Sequence, residues 1–361
     1  MGLFSKIFKK EDDPSSKIPK GFYELEVKAV TALTPGSVKI TFDIPAKLQS
    51  EFRFVSGQYL NLSTVIEGSE ERRSYSICSG PGEDLAVAVK RVNGGKFSNW
   101  ANDDLKAGMT MWVAAPMGNF KLENNLKNIV AFAAGSGITP MISIAKSLQK
   151  TDGKLTLFYG NRLQNSIMFS DELSQLTNVN TAHYLTGEML EGFRAGRLDK
   201  EAISAIIKTD LSLLKADGFF LCGPETMIKA AIDVLTLFGV SKSKIHYELY
   251  TTPVLLVPET PAEVNHFDGE SKITVILDDE KIELSLKAAG KTILDAVNKE
   301  GYDAPYSCRG GVCCTCRAKV LEGKATMTLN YSLTDQEVAD GFILTCQAHP
   351  ASETLVISYD E

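Results

Sequence analysis

The sequence predicts a multidomain protein with three folded modules in series: a small antiparallel β-barrel, a parallel α/β sheet and an α+β module. Three patterns carry this. Residues 21–121 read as short period-two strands punctuated by Gly and Pro, and residues 122–252 alternate continuous apolar runs with helical stretches. Residues 269–361 open on a hairpin followed by a helix and a compact run of cysteines. A chain of 361 residues is long enough for two or three separate cores.

Residues 1–20 read as a tail. Leu3, Phe4, Ile7 and Phe8 fall on one face of a short helix with Lys6, Lys9 and Lys10 beside them. One such signal anchors weakly, so no firm membrane attachment is expected and a frayed terminus is the simpler reading. In the barrel segment, residues 22–27, 38–42 and 85–89 alternate apolar and polar, and Pro35-Gly36, Gly57 and Pro81-Gly82 supply the turns. In the next segment, residues 129–134, 155–159 and 218–222 are apolar throughout, as strands covered on both faces are. Helices are expected over 140–150 and 225–238, giving a parallel sheet. Pro253, Pro258 and Pro261 mark 253–268 as a linker. Beyond it, residues 273–277 and 281–286 pair across Asp278-Asp279-Glu280, and a helix over 292–300 stops at Gly301.

The net charge of -7 argues against non-specific nucleic-acid binding. It is unevenly spread: residues 269–361 hold 9 Lys+Arg and 15 Asp+Glu, a balance of -6. An acidic module on a near-neutral body suits a charged docking surface, and equally a solvated face. No apolar run reaches the length of a membrane span, and no secretory signal stands out. An odd count of seven cysteines fits a reducing compartment, so the cytoplasm is the expected location.

Four of those cysteines carry the strongest signal. Four residues separate Cys308 from Cys313, two separate Cys313 from Cys316, and 29 separate Cys316 from Cys346. This is the plant-type ligand run for a 2Fe–2S cluster. Gly310 and Gly311 let the backbone curl round the inorganic core, and Cys346 is expected to return from a distant strand. A zinc site is the alternative, although zinc is usually held by two Cys-x-x-Cys knuckles and only Cys313 and Cys316 form one. Cys314 is out of phase and reads as filler, and Cys78 and Cys222 lie elsewhere.

Two further constellations are weaker. Gly135-Ser136-Gly137-Ile138-Thr139-Pro140 joins a buried strand to a helix, where glycine lets a pyrophosphate approach the backbone at a helix N-terminus. Cys222-Gly223-Pro224 ends a second buried strand at the same sheet edge. Arg162 and Ser166 follow a third. A cation and a hydroxyl suit the extra phosphate of NADPH, whereas NADH sites tend to place a carboxylate there, so NADPH is favoured over NADH. A surface arginine is the plain alternative. In Arg73-Ser74-Tyr75-Ser76, arginine suits a phosphate, tyrosine a flat ring and serine a ring nitrogen. Gly95-Lys96-Phe97-Ser98 follows the next strand and suits the same phosphates. A structural place for Tyr75 in the barrel core is the alternative.

Together these residues resemble the ferredoxin–NADP reductase superfamily. Arg73-Ser74-Tyr75-Ser76 looks like its Arg-x-Tyr-Ser motif, and Gly95 to Ser98 like its second FAD element. Gly135 to Pro140 looks like its pyridine-nucleotide loop, and Cys222-Gly223-Pro224 like its nicotinamide-side motif. A barrel, a nucleotide domain and a C-terminal plant-type ferredoxin, in that order, resemble the reductase components of bacterial oxygenases. Lys90-Arg91-Val92, Ser98-Asn99-Trp100, Gly160-Asn161-Arg162, Asn330-Tyr331-Ser332-Leu333 and Leu344-Thr345-Cys346-Gln347 carry that narrower likeness.

The resemblance implies an FAD barrel, an NADP domain and a β-grasp ferredoxin domain. It makes Tyr75, Ser76 and Cys222 the reactive-site residues, with Lys90 among those near the cofactors. It implies electrons passing from NADPH to FAD, to the 2Fe–2S cluster, and on to an oxygenase or hydroxylase. By this likeness the recipient is a di-iron enzyme acting on an aryl-CoA, such as the phenylacetyl-CoA epoxidase complex of phenylacetate degradation. Another oxygenase, a hydroxylase or a desaturase is the alternative recipient, and a flavin-free electron carrier or zinc adaptor the alternative class. Glu248 and Tyr250 stand where relatives place a glutamate and an aromatic near the flavin, and a plain edge strand is an equal reading.

Overall fold

The computed structural model describes residues 18–252 and 266–361. Most of the expected tail and linker therefore lies outside the described residues. The first module is one antiparallel sheet of β1 (Phe22–Thr34), β2 (Ser37–Asp43), β3 (Tyr59–Ile66), β4 (Ser69–Ser76), β5 (Ala86–Lys90) and β6 (Thr110–Ala114). Its order is β4-β3-β6-β1-β2-β5, and it curls until the edges meet. Ile77, just after β4, bridges Val87 of β5, and the Cys78 N–H donates to the Ala86 carbonyl at 2.8 Å. Alternation drives the curl: Val38, Ile40 and Phe42 of β2 turn inward onto Leu25, Leu60, Leu62 and Val87. Burying each such side chain contributes about 1.5–3 kcal/mol. Helix α1 (Lys96–Asp103) adds Phe97 and Ala101 to the same core.

The second module holds β7 (Asn128–Ala134), α2 (Ile138–Gln149), β8 (Lys154–Asn161), α3 (Ser170–Gln175), β9 (Val179–Leu185), β10 (Arg194–Ala195), α4 (Lys200–Thr209), β11 (Gly218–Cys222), α5 (Glu225–Leu237) and β12 (Ile245–Glu248). The sheet is parallel throughout, in the order β10-β9-β8-β7-β11-β12. Strand β7 is apolar at every buried position because both faces are covered. Ile129, Ala131 and Ala133 join one core with α2, while Val130 and Phe132 join another with α4 and α5. Helix α2 starts at Ile138, two residues before the sequence expectation. Pro140 is tolerated there because first-turn N–H groups have no helical partner. The chain runs from β7 to β8 on one side and returns to β11 on the other, so the switch point lies between β7 and β11.

The third module is a mixed sheet of β13 (Glu270–Leu277), β14 (Glu280–Lys287), β15 (Arg317–Met327), β16 (Phe342–Leu344) and β17 (Ala348–Ser358), with α6 (Ile293–Lys299) and α7 (Asp335–Ala339). Its order is β14-β13-β17-β15-β16, with β13 and β17 parallel. The hairpin turn is shorter than expected, since Leu277 already pairs with Glu280. Asp278 and Asp279 take φ of 58° and 60°, as a two-residue hairpin requires, and the Asp360 carboxylate accepts both N–H groups at 3.0 and 2.9 Å. Thr292 caps α6, and Ile293, Leu294 and Val297 enter the core.

Specific contacts join the modules. Ser143 of α2 donates to the Ser79 carbonyl at 2.7 Å, and Glu172 of α3 meets Lys39 of β2 at 3.1 Å. The third module sits on the barrel through Asn61 to Thr315 at 2.9 Å and Ser74 to Ser307 at 2.8 Å. Among the described residues, no helix is long and apolar enough to cross a membrane.

Candidate redox centre

The switch point is built by two glycine loops pressed together. A Cβ on Gly137 would lie 2.0 Å from the Cys222 carbonyl oxygen, and one on Gly223 would lie 3.1 Å from the Ala134 nitrogen. Gly135 takes φ of 55° to make the turn. Gly135, Ser136, Gly137, Thr139 and Pro140 thus meet Cys222, Gly223 and Pro224 at the carboxyl ends of the strands. Helix α2 opens without a side-chain cap, so its first-turn N–H groups suit an anion. Lys90, at the end of β5, brings its Nζ within 3.3 Å of where a Gly135 Cβ would stand, and partial burial lowers its pKa.

Arg162 follows β8 and is exposed, with no side-chain hydrogen bond or ion pair among the described residues. Ser166 is tied locally: its hydroxyl donates to the Leu163 carbonyl at 2.6 Å and accepts the Leu163 N–H at 3.2 Å. That leaves one lone pair, not the proton, for any ligand.

Side chains alternate along β4, so Arg73 and Tyr75 share one side while Ser74 and Ser76 share the other. The Tyr75 ring packs 5.4 Å from Phe97, and Arg73 pairs with Glu71 at 2.9 Å. Helix α1 begins at Lys96 after Gly95 with no side-chain cap. The Ser98 hydroxyl accepts the Val92 N–H at 3.1 Å and donates to the Gly95 carbonyl at 3.2 Å, shaping the loop.

Glu248 and Tyr250, left open by the sequence, take their places through β12. That strand lies beside β11 with Glu248 level with Cys222. Ser76 donates to Glu248 at 2.8 Å, and the Tyr250 hydroxyl lies 3.1 Å from Ser76 and 3.0 Å from Thr139. Burial pushes the Glu248 carboxyl up to about 7, with the Ser76 hydrogen bond opposing it. Cys222 is fully buried, and burial, then the Glu248 charge, pushes its thiol well up.

The four cysteine sulfurs converge in two pairs. Cys308 and Cys313 lie 3.0 Å apart, and Cys316 and Cys346 hydrogen-bond one another. The hydrogen bond from Cys313, helped by backbone N–H groups of Gly310, Val312 and Cys313, lowers the Cys308 thiol and raises that of Cys313 in turn. Gly311 offers its N–H to Cys346. Backbone N–H groups aimed at sulfur, with the sulfurs in two pairs, fit a two-iron cluster. A Cβ on Gly310 would press on the Thr252 hydroxyl, which would have to turn aside. Cys346 sits in the turn between β16 and β17, not on a strand as expected, because the sheet ends at Leu344 and the turn aims the thiol back at the loop. The Cys314 thiol donates elsewhere, to the Ser332 carbonyl at 3.3 Å.

One cavity of about 370 Å³ connects these parts. Tyr59, Arg73, Ser74 and Ser76 line it from the barrel, Glu248 and Tyr250 from the nucleotide domain, and Cys308 and Cys313 from the cysteine loop. Such a fold and cavity define a class, an electron-transfer oxidoreductase with its own iron–sulfur carrier. Family comparisons agree: an oxidoreductase FAD-binding domain matches residues 24–122, an oxidoreductase NAD-binding domain 132–233, and a 2Fe-2S iron-sulfur cluster binding domain 275–351.

The chain is 38% identical over 94% of its length to one of the subunits of 1,2-phenylacetyl-CoA epoxidase of Escherichia coli, covering 98% of that relative. It is 33% identical over 94% of its length to the ferredoxin reductase component of 3-ketosteroid-9-alpha-monooxygenase of Mycobacterium tuberculosis, covering 96% of it. Among solved structures, phthalate dioxygenase reductase shares the fold, with a TM-score of 0.58, 21% identity and coverage of 94% and 98% of the two chains. The chain belongs to the family of oxygenase reductase components that join FAD-binding, NAD-binding and C-terminal 2Fe-2S ferredoxin domains.

Proposed function

We propose that this chain oxidises NADPH and passes single electrons to the oxygenase of a phenylacetyl-CoA epoxidase complex in the cytoplasm. The observation that carries the electron route is the shared cavity, where Arg73, Ser74 and Ser76 of β4 face one space with Cys308 and Cys313. When bound, FAD takes a hydride as an electron pair and the cluster accepts electrons singly, which lets a two-electron donor feed a one-electron recipient.

In this reading the protein's residues bind and orient. Arg73, with Gly95, Lys96, Phe97 and Ser98 at the start of α1, holds the FAD phosphates. Ser74, Tyr75 and Ser76 shape the ring site, and Glu248 accepts from Ser76 and orients its hydroxyl. Gly135, Ser136, Gly137, Thr139 and Pro140 cradle the nucleotide pyrophosphate, with Lys90 adding positive charge. Cys222, Gly223 and Pro224 form the floor for the nicotinamide. Arg162 and Ser166 select the extra phosphate of NADPH. Cys308, Cys313, Cys316 and Cys346 hold the cluster.

The recipient is argued from similarity, the 38% identity to a component of phenylacetyl-CoA epoxidase along nearly the whole chain. The 33% identity to a 3-ketosteroid-9-alpha-monooxygenase component supports a second reading, service to a different oxygenase. The test is NADPH oxidation coupled to candidate oxygenases, with phenylacetyl-CoA supplied to the first. Substrate-dependent oxidation with that oxygenase supports the proposal, and coupling only to another oxygenase favours the second reading. Purified protein that is colourless and contains zinc would overturn both.

A further inference from the structure

Arg72 is not used by any of these assignments. It precedes Arg73 in β4, and its side chain is only 3% exposed. A buried cation is costly unless paired. Its Nε and Nη2 donate to the two Glu70 oxygens at 2.5 and 3.1 Å, inside the barrel. The same Nη2 crosses to the ferredoxin domain and donates to Asp303 Oδ1 at 2.7 Å. The guanidinium also stacks near two rings, 5.5 Å from Phe22 of the barrel and 4.6 Å from Tyr306 of the ferredoxin domain. Nη1 is buried with no hydrogen-bond partner among the described residues, so the site tolerates an imperfectly satisfied cation to keep the crossing contacts.

Those contacts lead directly to a cluster ligand. Tyr306, held against Arg72, also lies 4.3 Å from the Arg309 guanidinium. Ser307 meets Ser74 hydroxyl to hydroxyl at 2.8 Å. Cys308 comes next and lines the cavity shared with Ser74 and Ser76. Arg309 then turns with φ of 53°, and its carbonyl accepts from Gln347 at 3.0 Å. Arg72 and Ser74 share one side of β4, so a single strand grips Asp303, Tyr306 and Ser307.

We propose that Arg72 is a positioning residue for internal electron transfer: it anchors the 303–309 segment so that the Cys308 edge of the cluster stays against the flavin cavity. This rests on the flavin-to-cluster order proposed above. Electron tunnelling weakens steeply with separation, so an anchor adjoining a ligand governs rate without touching either reaction partner. A purely internal role, pairing with Glu70 inside the barrel, would need neither Asp303 nor Tyr306.

Asp303→Ala and Tyr306→Leu remove the crossing contacts from the ferredoxin side and leave the Arg72–Glu70 pair of the barrel in place. Arg72→Lys keeps the charge and loses the fork. Each holoprotein is mixed anaerobically with NADPH, and flavin bleaching and cluster reduction are followed separately. Flavin bleaching is expected at the wild-type rate in the Asp303 and Tyr306 variants, with cluster reduction slowed toward the roughly 100-fold that a misplacement of about 1 Å can cost. Small-angle scattering of the double variant gives a readout independent of turnover, an increased radius of gyration. Wild-type cluster reduction with wild-type scattering, or equal slowing of both phases, would overturn the proposal. A wild-type protein whose flavin bleaches without ever reducing its cluster would instead overturn the carrier order, and the role of Arg72 with it.

Discussion

The Ser76 hydroxyl donates to the Glu248 carboxylate across 2.8 Å, although the residues lie 172 positions apart. Ser76 ends a barrel strand and Glu248 ends the last strand of the nucleotide sheet. Their contact closes the wall between the barrel and the switch point, and puts a carboxyl with an altered proton affinity on the shared cavity.

That carboxyl gives a pH dependence with a definite sign. Burial pushes Glu248 up to about 7 from an ordinary 4.5, so the folded chain holds this proton more tightly than the unfolded one. Its contribution to stability is full below about 4.5 and is lost as pH rises through about 7. Melting temperatures between pH 5 and 8 should fall less steeply for Glu248→Gln than for the wild-type protein. Identical slopes would mean that Glu248 is already ionised across the range.

Gly137→Ala tests the nucleotide crevice. The new Cβ would stand 2.0 Å from the Cys222 carbonyl oxygen, so one of the two loops must shift. Overpacking of this kind costs about 1–3 kcal/mol. The expected result is a lower melting temperature and a KM for NADPH raised about 10-fold, the equivalent of about 1.4 kcal/mol. Wild-type values for both would show that the loops part easily.

Arg162→Ala tests the nucleotide choice. A charge-assisted hydrogen bond contributes about 1.5–3 kcal/mol, so kcat/KM for NADPH should fall about 10- to 100-fold while NADH changes little. An unchanged NADPH:NADH ratio in steady-state kinetics would remove Arg162 from the site. Ser166→Ala should have a smaller effect, because its proton is committed to Leu163 at 2.6 Å.

Cys316→Ser tests the order of carriers. Loss of one of four thiolates should abolish the cluster's visible absorbance and its iron content. Cytochrome c reduction should be lost with it, while dye acceptors that draw on the flavin continue to be reduced by NADPH. Equal loss of both activities would place the dye's electrons downstream of the cluster.

Some parts of this fold were legible because their cause is local. The run at 129–134 reads as a doubly covered strand, and β7 divides its residues between two cores. Gly137 marks a close approach that leaves no room for a Cβ, and Gly135 a turn at positive φ. Other parts were not. The hairpin at Asp278-Asp279 is tighter than its composition suggests, because a carboxylate 82 positions away, Asp360, supports the turn. Cys346 reads as a ligand from its spacing, but its seat in a turn depends on where β16 ends. Ser166 reads as free to bind phosphate, and only the loop reveals its hydroxyl already engaged.

The sequence by itself determined the chemistry available: thiolates at cluster spacing, glycine loops for a dinucleotide, and an Arg-x-Tyr-Ser strand. It also set three modules in order, since hydrophobic period and turn residues act over a few neighbours. Only the tertiary structure decided that these parts share one cavity, that Glu248 and Tyr250 close on Ser76, and that Arg72 reaches Asp303 across 231 positions. Contacts at such separations depend on how finished domains dock, through shape and paired polar groups, and no local period encodes them.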